Sequence, residues 1–268
     1  MIEGMRREDP LPRAQLAVPV KVVREAARIA KLHDDPKHNA MADLMVIAFY
    51  FLLRSGEYTK PRFVTTKGGK RRKATRTVQF SVKDCGFFNG TQAIDKSTAS
   101  LDDLVNATSA TLRMGNQKNG RMGECIHQEK AKNEKYGPTQ ALAHRVHHIL
   151  ANGGNEDSLI CEFKLKNGDW DCIQAGDIVH HVRQMSKILH LHKQGIDPDL
   201  IGAHSLRAGG AMALKLTGVD DTIIMKQGRW SSMTFLMYIH NQIAHLSAGL
   251  STKMSIDMPF VNITNFGN

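Results

Sequence analysis

The pattern of this chain predicts an α+β fold, mainly α-helical, with a small antiparallel sheet or hairpin. Apolar residues recur at helical spacing through most of its length. Two short β-branched stretches, 77–82 and 109–114, read as strands, and a Gly/Asn-rich turn follows the second. The most apolar run, Leu44 to Leu53, is far shorter than the roughly 20 residues of a membrane span and reads as a buried helix.

The elements follow in order. Residues 1–18 are polar around Pro10 and Pro12 and read as a lead-in or linker. Pro19 suits a first helical turn, and Val20 to Leu32 has helical spacing with Lys21, Arg24, Arg28 and Lys31 along one side. That stripe is either a solvated basic face or a phosphate-facing helix. Ala40 to Arg54 is apolar nearly all round, so burial on most sides is expected. It ends in Leu53-Arg54-Ser55-Gly56-Glu57. An arginine at the end of a buried helix needs a partner or a ligand, because a lone buried charge is very costly. Glu57 is the expected buttress, and an ordinary structural ion pair is the plain alternative.

Residues 60–76 hold Lys60, Arg62, Lys67, Lys70, Arg71, Arg72, Lys73 and Arg76 with no acid, and read as a flexible basic loop. It serves as a phosphate-contacting arm, a nuclear-import patch or only a solvated loop. Thr77 to Val82 and Ser109 to Met114 are expected strands, with a short helix near Leu101 in the polar stretch between them. After the turn at residues 115–120, Arg121 to His127 pairs back, which puts Lys118 at a hairpin tip. Pro138 opens a helix to about Leu150, and Ser158 to Phe163 is a short apolar stretch. Asp177 can cap a helix carrying Ile178, Val182, Met185 and Leu189. Helices are expected at Leu206–Leu216 and Asp220–Lys226, the latter stopped by Gly228, and a last one from about Ser232.

Composition narrows the class. The 268 residues suffice for one large domain or two small ones. The formal net charge of +10 favours a polyanionic partner without deciding it. Four cysteines without a C-x-x-C pair fit free, mostly buried thiols in a reducing compartment. His144, His147 and His148 share a helical face, but no cysteine or carboxylate set completes a metal site there. No secretory signal pattern opens the chain.

The last third holds the chemistry. His204 and Arg207 stand three apart on one helical face, and Gly228-Arg229-Trp230 precedes Tyr238. Cleaving a phosphodiester without a metal demands neutralisation of charge on the non-bridging oxygens. Two guanidinium forks, charged at any working pH, answer that need, and Arg54 and Arg207 can supply them. Lys118 can protonate the leaving sugar oxygen. The Tyr238 phenol must lose its proton as it attacks, and His204 can accept it or bridge the phosphate. Trp230 can donate through its indole nitrogen.

The order Arg54, Lys118, His204-x-x-Arg207, Trp230, Tyr238 resembles the catalytic domain of the tyrosine recombinases, the phage-integrase family. Its flavour is that of eukaryotic mobile-element recombinases of the DIRS and Crypton types. The resemblance covers roughly residues 18–250. It implies a tyrosine-recombinase catalytic-domain fold over 19–256, with 257–268 as a C-terminal tail. It also implies site-specific DNA recombination or integration through a 3′-phosphotyrosyl intermediate, with no metal or nucleotide cofactor. The partner implied is double-stranded DNA, with the protein a tetramer on two DNA sites and no membrane involved. Met258-Pro259-Phe260-Val261 would be traded between protomers. The compartment would be the nucleus in a eukaryote and the cytoplasm otherwise. Tyr238 lies eight residues past Trp230, where nine is commoner in the family. Fewer than 20 residues precede the catalytic region, so a fragment, a degenerate element copy and a partner of a separate DNA-binding chain all stand open. Two competing readings remain: a type IB topoisomerase-like enzyme and a catalytically silent DNA-binding remnant of a mobile element.

Overall fold

A computed structural model describes residues 16–33, 35–65, 69, 71–73, 77–115, 123–132, 136–231, 251 and 255, with Arg71 by its backbone alone. Its architecture is the α+β, mainly helical one expected. The centre is helix α2 (Pro36–Tyr50), preceded by α1 (Val20–His33). Asp35 caps α2 by accepting from the His38 backbone N–H at 2.9 Å, and Pro36 needs no donor in that first turn. Being apolar on nearly every side, α2 buries Ala40, Met41, Leu44, Met45, Ile47, Ala48 and Phe49. It packs against α1, α5 (Pro138–Ala151), α6 (Ala175–Ile188) and α7 (Ser205–Leu216). Each fully buried Leu or Ile side chain contributes about 1.5–3 kcal/mol by leaving water.

The approach of α7 to α2 depends on a glycine pair. A Cβ on Gly210 would sit 2.2 Å from the Phe49 carbonyl oxygen, and one on Gly209 would sit 2.1 Å from that of Val18. Close backbone packing therefore requires these two glycines. The last residues of the expected lead-in also dock: Val18 is fully buried and donates to Ser205 O at 3.3 Å, and Leu16 donates to Leu200 O at 3.2 Å.

A four-stranded antiparallel sheet runs in the order β4 (Gln92–Ala93), β3 (Cys85–Asn89), β5 (Ser109–Arg113), β6 (Cys125–Glu129). The β5–β6 ladder pairs Ser109 with Glu129 and Arg113 with Cys125, so the expected hairpin forms with its second arm later than Arg121 to His127. Its tip, with Lys118, lies outside the described residues. The β3–β4 pair was not anticipated, since 86–108 read as polar. The helix near Leu101 is α4 (Leu101–Asn106). Residues 77–80 form no strand. They thread beneath the core through Phe80 N to Glu57 O (2.9 Å) and Ile160 N to Phe80 O (3.0 Å), and a 3-10 turn follows at Val82–Asp84. Thr77, Gln79 and Phe80 are buried there while the β-branched Val78 is exposed, so an alternating pattern that resembles a strand arises without a ladder.

The basic stretch 60–76 also differs from expectation. It contains a hairpin of β1 (Phe63–Thr65) and β2 (Arg71–Lys73), with Phe63 opposite Lys73. Arg72 and Lys73 are exposed, while Lys67 and Lys70 lie outside the described residues. A third pair, β7 (Glu162–Lys164) and β8 (Trp170–Cys172), is held to α5 by the buried Arg145 guanidinium, which donates to the carbonyls of Ile160 and Glu162. Helix α6 begins two residues ahead of Asp177. That carboxylate accepts from the Gln174 N–H at 2.9 Å from inside the first turn rather than from the cap. The last described helix is α8 (Asp221–Gly228), capped by Asp220, whose side chain accepts from Thr222 N at 2.8 Å.

Candidate nucleic-acid interface

Helix α2 stops at Tyr50, four residues short of Arg54. Leu52 then turns the chain with φ +49°, and Arg54 stands just ahead of the short helix α3 (Ser55–Tyr58). Arg54 is therefore the entry to a new turn and not the end of the buried helix. This places it beside Glu57, which is wholly buried. Glu57 Oε2 accepts the Arg54 backbone N–H at 2.8 Å, and Oε1 lies 3.2 Å from Arg54 Nη1. The Arg54 side chain retains 23% exposure, so one guanidinium of the cluster reaches the surface.

Arg207, on the first turn of α7, is 2% exposed. Its guanidinium donates to the carbonyls of Leu52 and Gly228 and stacks on the Trp230 ring, 4.1 Å from the centroid. A cation desolvated over an indole face gains about 2 kcal/mol. Gly228 makes this stack possible, because a Cβ there would fall 1.7 Å from Trp230 Cζ3.

Helix α8 ends by a mechanism not foreseen. Gly228 is its last residue, and the left-handed position that stops it belongs to Arg229, at φ 58° and ψ 39°. The bonds Arg229 N to Lys226 O (3.1 Å) and Trp230 N to Met225 O (3.0 Å) close a Schellman motif around it. A non-glycine residue there costs about 1–2 kcal/mol. The Arg229 side chain is buried. Nη2 donates to Glu57 Oε2 at 3.0 Å and Leu52 O at 3.1 Å, and Nη1 approaches Met114 Sδ at 2.8 Å. Burial lowers the Arg229 pKa, and Glu57 opposes that shift.

Arg54 and Arg207 therefore belong to one network, joined through Glu57, Arg229 and the Leu52 carbonyl. Its four charged side chains, Arg54, Arg207, Arg229 and Glu57, give three guanidinium groups and one carboxylate, a formal charge of +2 (3 − 1). A low-dielectric wall strengthens the pull of such a cluster on an anion. His204 precedes α7 as a half-buried residue one turn before Arg207. Lys118 and Tyr238 lie outside the described residues.

The other tyrosines sit in different settings. Tyr58 is buried, and desolvation and then Glu57 push its phenol pKa well above the usual range. Tyr136 lies under Lys31 Nζ at 4.3 Å, and Tyr50 is half-buried at the end of α2. Sequence reading missed Arg229 as a partner of Glu57. The signal was present: a carboxylate beside a buried helix, and a further arginine immediately before Trp230.

No protein-family model matches the chain, and no curated protein matches it. Solved structures do. XerA recombinase aligns over 91% of this chain and 67% of its own, at 14% identity and a TM-score of 0.49. The XerH site-specific recombinase in a pre-cleavage complex with its difH substrate aligns over 93%, at 15% identity and a TM-score of 0.49. This chain spans 56% of that one. The Tn1549 transposon integrase in complex with circular intermediate DNA aligns over 94% of this chain and 71% of its own, at 13% identity and a TM-score of 0.43. Among the described residues no helix is long and apolar enough to cross a membrane.

Proposed function

We propose that the chain is a DNA strand transferase of the tyrosine-recombinase kind, acting on double-stranded DNA in site-specific recombination or integration. The observation that carries this reading is the convergence of Arg54 and Arg207, far apart in sequence, on one buried, net-positive network beside Trp230. Such a network suits a phosphodiester whose transition state gathers negative charge.

In this mechanism the Tyr238 phenol oxygen attacks the phosphorus and passes its proton to His204. The bond from phosphorus to the 5′ oxygen breaks, and Lys118 protonates that oxygen. The products are a 3′-phosphotyrosyl link and a free 5′-hydroxyl. A second strand's 5′-hydroxyl then reverses the step. The phosphotyrosyl bond keeps the energy of the diester, so the scheme needs no metal or nucleotide. Arg54 and Arg207 neutralise the phosphate, Trp230 supports it, and Glu57 holds Arg54. The exposed Arg72 and Lys73, with Lys67, Lys70 and Arg71, would contact the DNA backbone. Assembly as a tetramer on two DNA sites, with 257–268 exchanged between protomers, belongs to the same proposal. So do the affinity with DIRS- and Crypton-type elements and a nuclear location in a eukaryotic host.

The deep burial of Arg207 between two carbonyls favours a second reading, a silent DNA-binding remnant in which the network only supports the fold. One experiment separates the two. Duplexes selected by the full chain from a random library are nicked to make suicide substrates. The first reading expects a covalent protein–DNA species that Tyr238→Phe abolishes. Tight binding with no such species would favour the remnant. Supercoil relaxation without exchange between two sites would favour a type IB topoisomerase-like activity.

A further inference from the structure

We propose that Arg229 is a positioning residue that fastens three separate parts of the site to one another; the inference rests on the strand-transfer reading. Its place in the fold is the first argument. The left-handed residue of a Schellman motif is usually glycine, and at φ 58° an arginine is strained by its own Cβ. If ending α8 were the whole task, glycine would do it better, so the benefit must lie in the side chain.

The side chain bonds to two segments, and its backbone belongs to a third. Nη2 holds the Arg54 turn through Leu52 O at 3.1 Å and Glu57 Oε2 at 3.0 Å. Nη1 meets Met114 Sδ at 2.8 Å. Met114 closes the base of the β5–β6 hairpin, donating to Glu124 O at 2.7 Å and accepting from Gly123 N at 2.9 Å. The backbone of Arg229 is itself the end of α8, one residue before Trp230. The chain to Lys118 thus leaves from one contact of this guanidinium, and the chain to Tyr238 leaves from its own backbone.

Charge supplies the second argument. Arg229 takes one oxygen of Glu57 and Arg54 the other. Arg54 therefore shares Glu57 with a second cation and keeps a weaker claim on it. That leaves the exposed guanidinium readier to turn to a phosphate. Arg229 at 5% exposure remains inside, with its Nε N–H unpartnered among the described residues.

The test uses the full chain and the nicked duplex described above. Arg229→Gly relieves the backbone strain and removes the guanidinium. Misplacing a reacting group by about 1 Å costs on the order of 100-fold in rate, so covalent product should form about 100-fold more slowly, with duplex affinity changed less than about threefold. Arg229→Lys keeps a charge for Glu57 and should recover about tenfold of that loss. Cleavage by Arg229→Gly within threefold of the parent would overturn the proposal. A second readout does not depend on cleavage. Hydrogen exchange at the Met114 and Gly123 amides should quicken at least tenfold in Arg229→Gly, because the hairpin base loses its anchor. Unchanged protection there would also overturn the proposal. A parent protein that never cleaves, combined with quickened exchange in the variant, would remove the strand-transfer reading and keep Arg229 as the fastening.

Discussion

Replacing Glu57 with glutamine should be among the most damaging conservative changes in this protein. The carboxylate is fully buried and lies 3.2 Å from Arg54 Nη1 and 3.0 Å from Arg229 Nη2. Glutamine keeps the shape and one acceptor oxygen but removes the charge, and its amide N–H groups would face guanidinium donors. Breaking a buried ion pair by neutralising one partner costs about 3–5 kcal/mol, because the remaining charge stays buried without compensation. Against a typical total of about 5–15 kcal/mol, that is a large fraction. For a chain of this length the midpoint temperature should fall by on the order of 10 °C. Urea unfolding of Glu57→Gln beside the parent measures the loss, with an unchanged denaturant slope confirming that the native state alone was affected. Sulfate should restore more stability to the variant than to the parent at equal ionic strength, because it can stand in for the lost anion. A loss below about 1 kcal/mol, or equal response to sulfate, would refute the charge accounting on which the site rests.

Other substitutions test the remaining parts. Gly228→Ala places a Cβ 1.7 Å from the Trp230 ring, so the ring must swing away from Arg207. Overpacking of this kind costs about 1–3 kcal/mol, and Trp fluorescence should shift toward the exposed value; an unshifted spectrum with full stability would contradict the stack. Trp230→Ala should lose about 2 kcal/mol of cation–π attraction, while Trp230→Phe keeps part of it; equal losses in urea unfolding would assign the effect to packing alone. His181 is lowered to about 4 by burial and then by His38 and His180, and His148 to about 4 by burial and then by Arg145 and His147. Their folded pKa values lie below the unfolded value near 6.5, so the fold prefers the neutral rings. Stability should be complete above about pH 6.5 and drain away as pH falls toward 4, by up to ~1.4 kcal/mol per pH unit for each histidine. Urea midpoints at pH 7.5 and 5 for the parent and His181→Gln test this; an equal fall in both would exclude His181 as a source.

Much of the fold was legible because periodicity reports burial. The largely apolar α2, the basic stripe of α1 and the helices α5 and α7 follow directly from spacing. What spacing cannot report is where a helix is interrupted by a left-handed residue. Leu52 at φ +49° ends one run before Arg54, and Arg229 rather than Gly228 ends another. Nothing in the side chains of Leu or Arg announces that conformation, since tertiary contacts compensate its cost. The β3–β4 pair was missed because the apolar Cys85, Phe87 and Phe88 are flanked by a polar stretch, and 77–80 imitated a strand because its burial alternates around the exposed Val78 without a ladder partner.

The candidate site was legible in part for a similar reason. Arg54, Glu57, His204, Arg207 and Trp230 were singled out by their chemistry, and the described structure links four of them in one contiguous network of bonds and stacking. Arg229 went unassigned because the helix stop was read at Gly228, and nothing in the spacing places Arg229 opposite Glu57. The shared Leu52 carbonyl could not be read at all, because a backbone acceptor has no residue type. Lys118 and Tyr238 lie beyond the described residues, so their roles rest on the motif order and on proximity in sequence to Met114 and Trp230.

The central claim is tested most directly by digesting the trapped protein–DNA complex and mapping the modified peptide by mass spectrometry. The account predicts a nucleotide joined through its 3′ phosphate to Tyr238. Attachment at Tyr50 or Tyr136, a 5′ linkage, or no modified tyrosine at all on a duplex that the protein binds tightly would contradict it.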